Sequence, residues 1–233
     1  MNLNPMHTSI RPAEHATARA QHRPAAWLRW LSYLLLTGLL IGCTQALPFR
    51  ARTPMSQYLL EWQPGQPAQT AAADAPVLQL SAPHAAAGYG NSAMLYMAEP
   101  HKLARFSRHR WADAPARMLE PLLLRALQHS GLFSAVAAPG AAVQAGLRLD
   151  TELLQLQMNT EGGRHLVQLA LRAALIDQRS GRQLAVREFH IEEPAATATP
   201  AAGVAAANRA VAKLLAELTA FLASQLAHGG AQP

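Results

Sequence analysis

Three consecutive runs of alternating apolar and polar residues, from Gly146 to Ile191, constrain this chain more than any other feature. In the first, Leu147, Leu149 and Leu153 share one strand face while Arg148, Asp150 and Glu152 share the other. Leu153 and Leu154 are adjacent and break the register, after which Leu154, Leu156 and Met158 become the inward set, so a bulge is predicted there. Gly162-Gly163 turns the chain. His165 to Asp177 alternates again, with Val167, Leu169, Leu171, Ala173 and Leu175 on one face, and Ser180-Gly181 leads into a third run, Leu184 to Ile191. Long strands joined by short glycine-containing loops form an antiparallel meander, and its apolar face needs a cover. The cover follows an Ala/Thr/Pro linker, Pro194 to Pro200. It is a helix from about Val204 to Ala227 with an apolar stripe of Val204, Ala207, Val211, Leu214, Leu215, Leu218, Phe221 and Leu222, opposite Arg209, Lys213 and Glu217.

Upstream the patterns are shorter. Order is expected to start near Tyr58-Leu59-Leu60, and a Gln/Pro/Ala-rich loop separates it from a strand at Val77–Leu80. A Gly88-Tyr-Gly90 turn leads into a second strand, Ala93–Met97. Trp111 to His129 reads as a helix, with Asp113 and Pro115 at its start, apolar residues at three-and-four spacing and Gly131 at its stop. Pro121 falls inside that pattern and predicts a kink or a helix that effectively begins there. His101 and His109 read as surface histidines flanking a basic loop. The fold class is therefore α/β of the α+β kind: a two-layer sandwich, mostly antiparallel and including the C-terminal meander, with two main helices packed on one face. A chain of 233 residues accommodates one such domain plus tails.

The leader supplies the address. Trp30 to Ile41 is uncharged and about a dozen residues long, too short for an ordinary membrane span and suited to a signal-peptide core. It ends in Leu40-Ile41-Gly42-Cys43, which resembles the bacterial lipobox: Gly42 admits a membrane protease to the scissile backbone, and the Cys43 thiol takes diacylglycerol by thioether before its freed amine takes a further acyl chain such as palmitate. Cys43 is the sole cysteine of the chain, so no intramolecular disulfide forms. Two or three acyl chains, at about 0.8 kcal/mol per buried CH₂, make such an anchor effectively permanent. The expected organisation is a lipoprotein signal peptide over 1–42, a flexible tether over 43–54, a single domain over 55–227 and a disordered tail over 228–233. Thr44 follows the cysteine where inner-membrane-retained lipoproteins often carry Asp, which favours the outer membrane.

Several functions are disfavoured. Half of the formal charge of +6 comes from Arg11, Arg19, Arg23 and Arg29 against Glu14 in the leader, and the remaining arginines are scattered, so a nucleic-acid groove is not expected. There is no G-x-S-x-G, no G-x-x-x-x-G-K-[ST] and no H-E-x-x-H. Asp150 and Glu152 could pair as acid and base or hold a hard cation, but they read as a solvated strand face laced with Arg148. Glu192-Glu193 reads as an exposed strand end. No enzyme activity, metal or cofactor is expected beyond the covalent acyl chains on Cys43. Trp111 has two readings: a staple packed on the sheet, or an exposed contact for a partner or a lipid.

In their order and spacing these residues resemble the ABC-type transport auxiliary lipoprotein family, the paraquat-inducible C-like lipoproteins. The likeness rests on the lipobox Leu40 to Cys43, Tyr58-Leu59-Leu60, Ala93-Met-Leu-Tyr96, Arg110-Trp-Ala-Asp113, Leu147-Arg-Leu-Asp-Thr-Glu152, Val167 to Leu175, Arg187-Glu-Phe189 and Ala206-Ala-Asn-Arg-Ala-Val211. It implies a two-layer domain on the periplasmic face of the outer membrane. Such a domain acts as a non-catalytic partner of an MCE-domain protein and an inner-membrane ABC permease/ATPase complex in lipid transport, with membrane lipid at hand and homo-oligomers possible. The alternative is a scaffold or assembly lipoprotein of the outer membrane without a transport role.

Cys43→Ala is expected to leave the remote domain folded while either releasing it from membranes or retaining the uncleaved precursor. Fractionation and gel mobility check this; a variant that is processed and sediments with the outer membrane like the parent refutes acylation.

Overall fold

The computed structural model describes residues 54–66 and 68–229, together with Trp30, Leu31 and Tyr33, which are helical. The rest of the leader, the lipobox Leu40–Cys43, the tether through Thr53 and residues 230–233 lie outside the described residues. Thr53–Pro233 is a compact unit in its own right. Its elements in order are β1 (Ser56–Tyr58), β2 (Val77–Leu80), β3 (His84–Ala85), β4 (Ala93–Glu99), β5 (Lys102–Trp111), α1 (Pro115–His129), β6 (Ala135–Ala137), β7 (Leu147–Asn159), β8 (Leu166–Asp177), β9 (Gln183–Pro194) and α2 (Pro200–Gly229).

The nine described strands form one sheet centred on β7. Along one edge β8 pairs with it antiparallel from Leu147↔Asp177 to Asn159↔Leu166, and β9 pairs antiparallel with β8 beyond. This is the predicted meander. Along its other edge β7 is shared by three short parallel partners: β2 at Leu147–Leu149, β3 at Glu152–Leu153 and β4 at Met158–Asn159. β6 continues the sheet outside β2, and β5 then β1 continue it outside β4. The antiparallel ladders are few but long, so they hold most of the paired backbone.

The predicted bulge is present. Leu153 pairs with Leu171 and Gln155 with Ala170, leaving Leu154 as the extra residue without a cross-strand partner. Leu154 is consequently only half-buried, whereas Leu156 and Met158 are buried as expected. On β8 the whole alternating set from Val167 to Leu175 is buried.

Both helices cover the same sheet face. The α2 helix starts earlier than predicted because Thr199 caps it, its hydroxyl accepting from the Ala202 N–H at 3.4 Å, and Pro200 occupies the first turn, where a proline is tolerated. It also continues through His228 to Gly229, past the expected fraying point. Its length and mean hydropathy of 1.4 would suffice for a membrane span, yet Val211, Leu214, Leu215, Leu218 and Leu222 are buried in the common core against β8 and β9. Each such leucine contributes about 1.5–3 kcal/mol by leaving water. Near its C-terminal end Phe221 meets Phe189 of β9 edge-to-face at 5.9 Å, and the Arg187 guanidinium lies 5.0 Å from the Phe189 ring centre.

The first helix differs from expectation at its start. It begins at Pro115, four residues after Trp111, and continues through Pro121. Pro121 is on the solvent side together with Arg117, the residue whose carbonyl loses its partner. Gly131 ends the helix at φ 67°, and the preceding loop presses against it: a Cβ there would lie 2.7 Å from Gln69 Cβ and 3.0 Å from that residue's backbone. Gln69 N–H donates to the His129 carbonyl, which pins the loop. Gly203 in α2 is also tight, but the obstacle is the flexible end of Met158, Cε at 2.6 Å.

Gly131→Ala should therefore cost about 2 kcal/mol or more, because both φ and fixed backbone oppose it. Gly203→Ala should fall within about 1 kcal/mol of the parent, helix propensity offsetting the displaced Met158. Urea unfolding midpoints of the two variants check this contrast; equal losses would contradict it.

Candidate functional site

The region predicted as a basic loop is a strand, β5. Its inward residues Phe106, His109 and Trp111 are separated by a register shift against β4, between the pairs Leu95↔Arg105 and Ala93↔Arg110, and this shift hides the period of two. The hairpin turn is Pro100-His101, with His101 at φ 62°. On the inner face Tyr96 and Phe106 lie 4.7 Å apart between ring centres, Phe106 meets His109 edge-on, and the Tyr58 hydroxyl sits 3.2 Å from His109 Nδ1. His109 is thus half-buried in an aromatic row rather than a surface residue. His101 is exposed.

Trp111 ends β5 beside Tyr58 of β1 and is only 4% exposed. Of its two readings the structure shows packing; a ring so covered is not an exposed contact for a partner or a lipid. With Met94, Phe106, Met158, Gly203 and Ala207 it lines an apolar recess beneath the first turns of α2. The recess measures about 20 Å³, room for a single water-sized molecule and far below what an acyl chain requires.

The acidic pair at the end of β9 is the second correction. Glu192 is exposed, but Glu193 is buried on the inner face opposite Val167. Arg209 Nε donates to its Oε2 at 3.0 Å, and the Lys213 ammonium meets Oε1. The same Arg209 donates to the Pro194 and Ala205 carbonyls. The i,i+4 stripe assigned to the solvent side of α2 is therefore used to clamp that helix to the edge strand. Hydrogen bonding from Lys213, reinforced by Arg209, holds the Glu193 carboxyl below the usual glutamate range against the opposing effect of burial.

The outer face of β7–β9 carries its polar groups in crosswise rows. Asp150 accepts from Arg148 at 2.9 and 3.0 Å and from the Ser81 hydroxyl at 2.5 Å. Glu152 pairs with Arg172 at 3.0 Å, and Arg172 also reaches Glu188 at 2.8 Å. Asp150 and Glu152 are thus each tied to an arginine, as the solvated-face reading expects. In the next row the Tyr89 hydroxyl donates to Gln157 Oε1 at 2.7 Å, Gln157 donates to Gln168, and Gln168 donates to Glu192. Burial pushes the Tyr89 hydroxyl up. Among the described residues no three His, Cys, Asp or Glu side chains gather as metal ligands. The residues expected to form the anchor, Leu40, Ile41, Gly42 and Cys43, lie outside the described residues. The first described residues after them, Pro54 and Met55, lead directly into β1 at the margin of the sheet.

Comparison with known proteins agrees with this architecture. Residues 58–219 match the family model of the ABC-type transport auxiliary lipoprotein component, and the chain belongs to that family. Protein XCC0632 from Xanthomonas campestris superimposes with a TM-score of 0.65 at 20% identity, covering 77% of this chain and 99% of that one. An uncharacterized protein gives a TM-score of 0.55 at 15% identity, covering 73% of this chain and 99% of its own. At these identities the likeness shows the fold. No curated protein matches the chain. The family description is that of an auxiliary component rather than a catalyst, and a lipoprotein family points to a membrane-anchored place in the cell envelope.

Glu193→Gln is expected to destabilise the domain by about 1–2 kcal/mol at pH 7, by weakening charge-assisted bonds to Arg209 and Lys213. Because the folded-state pKa is depressed, the stabilisation is complete above about pH 4.3, the unfolded value. It is lost as the pH falls through the lower folded value, so the gap between parent and variant should close in acid. Denaturation at neutral and acidic pH measures it; a gap independent of pH would contradict the clamp.

Proposed function

We propose that this chain is a non-catalytic subunit of a lipid-transport system, anchored through acylated Cys43 in the periplasmic face of the outer membrane. Its partners are an MCE-domain protein and an inner-membrane ABC permease/ATPase complex. The observation that carries this reading is the match of residues 58–219 to an ABC transport auxiliary lipoprotein, combined with a lipobox that uses the only cysteine in the chain. Thr44 in place of Asp supports the outer membrane as destination.

The fold supports an accessory rather than a carrying role. The recess under α2 is too small for an acyl chain, and the carboxylates Asp150, Glu152 and Glu193 are each engaged by basic side chains rather than converging on a cleft. Lipid would pass through the partner, while this domain fixes the partner at the membrane.

A mild-detergent pull-down of the tagged lipoprotein from its native envelope, with mass spectrometry of proteins and lipids, tests the proposal. Recovery of an MCE-domain protein with ABC components is expected. Recovery of barrel-assembly or cell-wall proteins alone, without phospholipid, would replace it with the scaffold reading.

A further inference from the structure

The β1–β5–β4 wing presents two unlike faces. Its inner side holds the aromatic row and Trp111, so the register fixes what points outward: Leu103 opposite Met97, Arg105 opposite Leu95, and Arg110 opposite Ala93. Gln57 of β1 pairs with Arg110 on that side, and alternation places Met55 there too. Met55 is 51% exposed and Leu103 42%, and Leu59, just past β1, is 54% exposed. Arg105, Arg108 and Arg110 are all exposed. Among the described residues neither Arg105 nor Arg110 has a carboxylate at ion-pair distance; Glu99 at the hairpin is held by Lys102, and Asp113 beyond the strand by Arg117. The outer face of β7–β9, by contrast, neutralises its own charges in rows.

We propose that this outward face of the wing is where the domain lies against the anionic phospholipid bilayer that carries its anchor. The inference rests on the Cys43 anchor and adds to it an orientation. Two observations select the bilayer as occupant. One is charge: Arg105 and Arg110, interspersed with exposed Met55, Leu59 and Leu103, match a surface of phosphates over hydrocarbon. The other is where the chain enters. Cys43 is twelve residues before Met55, a span of at most about 40 Å even when fully extended, and the chain that follows it joins the domain at this edge of the sheet. The β9 edge lies across the sheet from it.

The test uses the full lipidated protein reconstituted in vesicles. The thiol of Cys43 is consumed by the thioether, so Leu103→Cys and, separately, Val186→Cys each give one labelling site; Val186 is exposed on the outer face of β9. A fluorophore at 103 should be quenched by nitroxide lipids in phosphatidylglycerol-containing vesicles and one at 186 should not. Quenching at 103 should weaken in high salt and in pure phosphatidylcholine. Each of Arg105→Gln and Arg110→Gln should shift the face-down equilibrium roughly fivefold. Vesicle flotation separates the two claims. A protein that does not float refutes the anchor and the orientation together. One that floats with equal quenching at both sites, or with quenching at 103 indifferent to salt and to both arginines, refutes the orientation alone. Protection of position 103 only when envelope proteins are present would assign the face to a protein partner and overturn the proposal.

Discussion

The fold depends on the two edges of β7 being used differently. One edge is a continuous antiparallel ladder to β8; the other is divided among β2, β3 and β4, each adding two or three residues of parallel pairing. Short parallel strands contribute few hydrogen bonds of their own, so their positions are held by side chains entering a core already defined by β7, β8 and the helices. Leu78 and Leu80 from β2, Met94 from β4 and Trp111 from β5 all join that one cluster. The bulge at Leu154 lets the arrangement work. It resets the face of β7 midway, so that Leu153 on one side and Leu156 and Met158 on the other all point at the helices.

Legibility in the sequence follows the same division. The meander, its bulge, the two helices and the placing of both layers were readable because long strands and helices repeat their period often enough to show it. β5 was not. Its inward residues Phe106, His109 and Trp111 straddle a register shift, and four basic residues between Lys102 and Arg110 made the segment resemble a loop. Glu193 was misplaced for a related reason. A carboxylate at a strand end before proline looks exposed, and only the three-dimensional approach of α2 shows that Arg209 and Lys213 come to meet it. The anchor motif, which lies outside the described residues, was read from the sequence alone as a lone cysteine after an apolar run. The orientation of the wing was not, since it requires knowing which side of β5 faces the core.

Function in this molecule is divided in space. The proposed anchor at Cys43 precedes the sheet and the covered core, where most of the bulky apolar residues are spent on packing α1 and α2. The outside carries charge in paired rows over β7–β9, and over the β1–β5 wing it carries Arg105 and Arg110 among exposed Met55, Leu59 and Leu103. For an auxiliary component built this way the proposed contribution is position: how far, and at what angle, a transport partner stands from the bilayer.

The helix that closes the core is also the last of the described elements. A polypeptide that appears from its N-terminus exposes the apolar faces of β2, β4, β7 and β8 before α2 exists to shield them. Every residue of the meander must therefore be complete while its inner face is still wet, with β9 offering an open edge on the same side of the molecule. The domain thus has a vulnerable interval set by the length of this thirty-residue helix. A holding chaperone in the compartment where the chain emerges would act during that interval, and a stop codon ahead of Val211, Leu214, Leu218 and Leu222 would make the interval permanent.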